Sequence, residues 1–287
     1  MVTRLESYLG IYSDGTLADP PPFDSEDPDN DAMDAEPEEE NALFEPFKDL
    51  CKQRFLWYYP SYMKAISEVE ANHRQGDRFL TMPFESPGNM MPGTFDYPSL
   101  KRRLASIRQV LDMETAHWAE EGAYLFKRES SFAASIARQR SLLVETYKNR
   151  HNLTLDIDFE SPANPFVWIL TYYGRPMTQL DGGVFRIRMA ICPRFPEEQP
   201  RIVFETKLFH HRIGTDGVLC YFPKKPDELG SHIDGIIAAI EEESPPYDPR
   251  TLVNLEASRL FWNSGEQGKK NYNRTLRRSV QASLEGE

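Results

Sequence analysis

Between Leu153 and Thr206 apolar and polar residues alternate in four short runs, and no other feature of the chain narrows its fold as sharply. Leu153, Leu155, Ile157 and Phe159 alternate with polar neighbours, as a half-buried strand requires. Phe166 to Tyr173 is a second run and leads into Gly174-Arg175-Pro176; VFRIRMAIC, Val184 to Cys192, is a third, entered through the Asp181-Gly182-Gly183 turn. Arg201 to Thr206, after Pro196 and Pro200, is the fourth. Strands this close in sequence pair with their neighbours antiparallel, because a parallel pair needs a crossover of about a dozen residues or more. The expectation is a four-stranded antiparallel meander with helices before it and, after Ser231, behind it: an α+β layout.

Upstream, Leu100, Leu104, Ile107 and Leu111 fall on one face of a helix. Leu43, Phe44, Phe47, Leu50, Phe55, Leu56, Trp57, Tyr58 and Tyr59 form an aromatic cluster, expected to pack rather than to bind a ligand, and Pro60 interrupts or ends it. Residues 41–130 are therefore expected to form a mostly helical extension, divided by a proline- and glycine-rich loop from Phe79 to Tyr97, and too aromatic to be a free linker.

The formal charge of −12 belongs to one segment: thirteen acidic residues and no Lys or Arg lie between Asp14 and Glu45, so the rest is within one charge of neutral. Residues 1–40 are expected to be an acidic disordered tail, since the proline-rich run from Asp19 to Glu40 has a single aromatic residue and cannot bury enough surface to order itself. A near-neutral remainder argues against a nucleic-acid platform. No apolar run approaches the roughly 20 residues of a membrane span, and no basic-then-apolar leader opens the chain, so no membrane partner and a cytoplasmic or nuclear location are expected. Cys51, Cys192 and Cys220 are too few and too widely spaced for a disulfide framework or a paired-cysteine zinc site, leaving free thiols. No glycine-rich loop of the Gly-x-x-x-x-Gly-Lys-Ser/Thr kind implies an adenylating activity.

The stretch FHHRIGTDGVLCYF, Phe209 to Phe222, concentrates His210, His211, Arg212 and Cys220. His and Arg neighbours favour the thiolate, which would make Cys220 a nucleophile, but on local evidence a lone Cys after Val218-Leu219 is more often a small buried hydrophobe. A metal site is disfavoured, because adjacent histidines diverge on an extended backbone and no partner follows at ligand spacing.

In order along the chain, Gly174-Arg175-Pro176, Gly182-Gly183-Val184-Phe185, Pro196 with Pro200, His210 followed ten positions later by Cys220, Asp248-Pro249, Asn254 with Glu256-Ala257, and Lys270-Asn271-Tyr272-Asn273-Arg274 resemble the pattern of the ubiquitin-conjugating enzyme family. The resemblance runs from about Gln139 to Leu284 and implies the family's fold over residues 131–287: an opening helix, the meander, the active-site Cys on an extended stretch, then helices. It implies that Cys220 carries ubiquitin or a ubiquitin-like protein as a thioester received from an activating enzyme, and passes it to a lysine of a substrate protein or through a ubiquitin ligase. Asp248 matches an acidic position that orients the attacking amine, although a turn residue before Pro249 is the alternative. His210 is expected to hold the loop rather than act as a base, and Tyr221 and Phe222 to wall the thiol from water. Neither cofactor nor metal is implied.

The chain also departs from the pattern. His211 and Arg212 stand where the family has Pro and Asn; an Arg lacks the amide's geometry yet can stabilise a developing oxyanion, the alternative being that Arg212 pairs with an acidic neighbour and supports the loop. PKKPDELGSH, Pro223 to His232, replaces the usual stretch after the Cys, and Glu197 stands where an aromatic is usual, which puts standard ligase docking in doubt. A catalytically inactive variant serving as a binding scaffold is the alternative function. A cysteine hydrolase using Cys220, a histidine and Asp248 is disfavoured, because the strand order fits the conjugating fold and no separate base position is evident.

Overall fold

The computed structural model describes residues 2–12, 47–73, 76–79, 93–150 and 153–285. Strands β1 (Thr154–Ser161), β2 (Asn164–Tyr173), β3 (Val184–Ala190) and β4 (Arg201–Phe204) form one sheet in sequence order, with every neighbouring pair antiparallel. The register sets Ile157 opposite Leu170, Leu170 opposite Ile187 and Ile187 opposite Phe204, a row of apolar residues on one face. The expected meander and α+β layout are thus present.

Helices α1 (Val2–Tyr8), α2 (Lys48–Glu70), α3 (Tyr97–Lys127) and α4 (Ser131–Lys148) precede the sheet, and α5 (Leu229–Glu241), α6 (Leu255–Ser258) and α7 (Gly265–Glu285) follow it. The main core joins the sheet to Ile136 and Tyr147 of α4, to Ile233 and Ile236 of α5 and to Tyr272, Leu276 and Val280 of α7. The Tyr147 hydroxyl donates to Asp234 at 2.7 Å, tying α4 to α5. On β2 the residues of opposite parity, Val167 and Ile169, are buried as well, and α3 lies against this strand. Both faces of β2 are therefore covered, which is why this strand reads as a nearly continuous apolar run.

A second core forms where the N-terminal helices meet the sheet domain. It holds Leu5 of α1, Phe55, Leu56 and Trp57 of α2, Leu104, Ile107 and Leu111 of α3, and Val218, Cys220 and Val253. Asp96 caps α3 by accepting from Ser99 N–H at 3.0 Å, with Pro98 in the first turn where its missing N–H costs nothing. Pro60 lies inside α2 without ending it. Polar anchors flank this core: Asp49 accepts from Arg201 at 2.6 Å and from Gln199 N–H at 3.1 Å, and Lys52, only 3% exposed, sits between Glu114 and Glu198. The extension is thus packed on the domain through apolar contacts and buried ion pairs, and the aromatic cluster around Trp57 is part of that packing.

The start of the chain departs from expectation. Residues 2–12 do not belong to a disordered tail: α1 is helical, Leu5 is fully buried, and Glu6 pairs with Arg103 at 2.6 Å. The acidic run that suggested disorder begins only at Asp14, and an apolar spacing of Val2, Leu5 and Leu9 precedes it. Residues 13–46, with nearly all of the acidic segment, lie outside the described residues, as do residues 80–92 of the loop between α2 and α3. No described helix is long and apolar enough to cross a membrane.

Candidate active site

The segment after β4 turns back on itself. Ile213 pairs with Leu219, and Val218 pairs with Val203 beside β4, so the short return strand ends at Cys220. Gly217 makes the turn possible: its φ is +84°, and a Cβ there would lie 2.4 Å from the Phe204 carbonyl oxygen. The same close approach lets Phe204 N–H donate to Gly217 O at 2.8 Å. One residue beyond the pairing, Cys220 N–H donates to Arg212 O at 2.8 Å, which sets the cysteine opposite Arg212.

The residues before the turn are held from both sides. His210 Nδ1 accepts from Arg212 N–H at 3.1 Å, and its ring stacks on that of His211 at 4.4 Å. His211 lies within hydrogen-bonding distance of the Tyr272 hydroxyl, 3.3 Å from Nδ1, and stacks on Phe261 at 4.8 Å. Asn254 caps α6 and donates its amide to Ile213 O at 3.2 Å. Burial, with the neighbouring Arg212 charge, pushes His211 down to about 4 and His210 well below the ordinary histidine range, so both rings are neutral at pH 7.

Cys220 Sγ lies 3.5 Å from Arg250 O, and the side chain is 0% exposed. Desolvation pushes its pKa up to about 12; the Arg212 guanidinium acts in the opposite direction, Asp248 adds to the rise, and Arg54 and Arg250 oppose it. Asp248 caps the short turn Pro249–Thr251 and accepts from the backbone N–H, Nε and Nη2 of Arg250, whose guanidinium holds the carboxyl below the usual range. Arg212 pairs with Glu242 at 3.5 Å, and its Nε is buried without a hydrogen-bond partner.

Cys220, Arg212, His210 and Asp248 are therefore one neighbourhood. Two of its members had not been singled out. Arg250, two residues from Asp248, supplies the carbonyl nearest the thiol, and Tyr58 of α2 donates to that carbonyl at 2.6 Å. Proximity to Asp248 could have pointed to Arg250; nothing in the local sequence ties Tyr58 to the site. One expectation is corrected: Tyr221 does not wall the thiol, because its side chain turns into the main core and meets His232 Nδ1 at 2.7 Å. Residues of successive parity on an extended stretch point to opposite sides, so Cys220 faces the second core instead. Phe222 stays near the site, edge-on to Trp57 at 5.5 Å. Among the described residues no group of three or more His, Cys, Asp or Glu is arranged to hold a metal ion.

An opening helix, a four-stranded meander, and a cysteine on the extended return after β4 define a ubiquitin-conjugating-enzyme-like α+β domain. Residues 138–222 match the family model described as ubiquitin-conjugating enzyme, a match that ends two residues past Cys220. A protein of Triticum aestivum named "Ubiquitin-conjugating enzyme E2 7" is 25% identical over 159 residues, which cover 51% of this chain and 93% of that protein. "Ubiquitin-conjugating enzyme E2 S" of Homo sapiens is 28% identical over 128 residues, 43% of this chain and 51% of that one, and the Bos taurus protein of the same name is as similar. The chain thus spans nearly the whole wheat protein and about half the length of the two mammalian ones. Residues 138–222 are thus similar to the ubiquitin-conjugating enzyme family, in a chain that carries an N-terminal extension.

Proposed function

We infer that Cys220 carries ubiquitin or a ubiquitin-like modifier between an activating enzyme and a lysine amine. The observation that carries this reading is the placement of a free thiol at the end of the turned-back stretch, with the cations of Arg212, Arg54 and Arg250 acting on it. In the first step Sγ attacks the modifier's terminal carboxyl carbon, held as a thioester on the activating enzyme. A new C–S bond forms, the donor's C–S bond breaks, and the Cys220 proton leaves with the donor thiolate. In the second step a lysine nitrogen attacks the same carbon, an amide forms, the Cys220 thiolate departs, and the amine's proton is lost.

Within this reading each neighbour has a task. Asp248, ionised and partly exposed, orients the incoming amine and takes up its charge. His210 holds the Arg212 backbone and is not a base, since its Nδ1 already accepts a hydrogen bond inside the loop. Arg212 stabilises negative charge on the carboxyl oxygen during attack. Partners are the modifier, its activating enzyme, and a ligase or substrate protein, in a cytoplasmic or nuclear setting.

Incubating the full chain with activating enzyme, ATP and ubiquitin, followed by a non-reducing gel, tests this directly: a thiol-sensitive adduct on Cys220 is expected. The second reading, an inactive scaffold, draws on the sealed, high-pKa thiol and on the replacement of the family's Asn by Arg212. Absence of any adduct with a panel of activating enzymes and modifiers would decide for it.

A further inference from the structure

Part of what encloses Cys220 comes from the extension. Phe55, Leu56 and Trp57 of α2 share the thiol's apolar cluster with Val253. The same helix is bonded to the backbone lining the thiol: the Tyr58 hydroxyl donates to Arg250 O at 2.6 Å, and the Ser61 hydroxyl donates to Val253 O, also at 2.6 Å. Trp57 closes edge-on against Phe222. One stretch of α2, Trp57 to Ser61, therefore clasps both chain segments beside the thiol, 218–222 and 249–253. Attack requires a carboxyl carbon within about 3–3.5 Å of Sγ. A sulfur that water does not touch offers no such approach while α2 is seated.

The clasp is built so that another chain can replace it. Its two hydrogen bonds end on backbone carbonyls, Arg250 O and Val253 O, which need donors when covered. An extended peptide brings N–H groups that serve as well as the two hydroxyls. Between Tyr58 and Ser61 stands Pro60, which has no N–H to give, so the helix ladder lacks one bond at this turn.

We propose that the Trp57–Ser61 turn of α2 is an autoinhibitory latch: Cys220 reacts only after the turn leaves the 249–253 segment, whose freed carbonyls then accept the amides of the modifier's extended C-terminal peptide. The inference rests on the conjugating reading above. A modifier end that binds only the open form draws the population toward it, whereas one that binds both forms equally does not.

The test uses the full chain with Tyr58→Phe and Ser61→Ala combined, labelled with iodoacetamide and mapped cysteine by cysteine by peptide mass. Cys192, fully buried in the sheet domain, reports opening of the domain itself in the same sample. The latch requires Cys220 labelling to rise about tenfold or more over wild type, as expected for losing two hydrogen bonds, with Cys192 unchanged. Trp57→Leu, which leaves both hydroxyls in place, is the second variant and has the same expected direction. Unchanged Cys220 labelling in both variants, or Cys220 and Cys192 rising together, overturns the latch. Loading with activating enzyme, ATP and ubiquitin is read separately. Faster labelling with faster loading supports the latch. Faster labelling with no loading of wild type or variants also supports it and removes only the conjugating reading, while measurable loading that is equal in wild type and variants overturns it.

Discussion

At the scale of single residues, burial and charge oppose each other at Cys220. Desolvation is the larger influence and the surrounding guanidinium groups do not cancel it. A thiolate absorbance difference between wild type and Cys220→Ala should accordingly be missing below about pH 10 in the folded protein, whereas an ordinary thiol ionises near pH 8.5; a step near 8.5 would show an accessible site. Arg212 is separable from this. On preloaded protein Arg212→Ala should slow discharge to free lysine by roughly 10²-fold, with Arg212→Asn regaining part of the rate. Unchanged discharge in Arg212→Ala would confine the side chain to its pairing with Glu242.

At the scale of elements, the four strands and the helical face of α3 were legible because period-two and period-3.6 patterns record which side of an element is buried. The first helix was not, since a seven-residue helix beside a long acidic run leaves too short a pattern to stand out. Its docking has a measurable consequence. Leu5→Ala should lower unfolding free energy by about 2–5 kcal/mol, the usual cost of emptying a filled apolar site, and a change in denaturant midpoint within error would mean that α1 is not docked in solution. The candidate site divides along the same line. Cys220, Arg212 and His210 share one sequence stretch, and Asp248 was recovered through its place in the family pattern. Tyr58 and Ser61 are joined to the site only by tertiary packing, for which spacing along the chain holds no signal.

At the scale of the whole molecule, stability depends on buried groups that stay neutral. His210, His211 and His232 are all buried, and burial lowers the affinity of each for a proton. The unfolded chain therefore binds more protons than the folded one as pH falls below about 6.5, and stability is lost on acidification. For His211, shifted from 6.5 to about 4, this is about 2 kcal/mol between pH 6.5 and pH 5, all of it regained at neutral pH. Urea midpoints should fall from pH 7.5 to pH 5, and a flat profile would contradict neutral burial of these rings. The two-core architecture makes the sheet domain and its extension parts of one folded body, with the proposed reacting atom at their junction. That Cys220 is this atom is tested most directly by mass spectrometry of the adduct formed with activating enzyme, ATP and ubiquitin on wild type, Cys220→Ser and Cys220→Ala. A thiol-labile adduct mapped to Cys220 is expected, with a thiol-resistant oxyester on Cys220→Ser and none on Cys220→Ala; an adduct that persists on Cys220→Ala, or none on wild type, would contradict the role of Cys220.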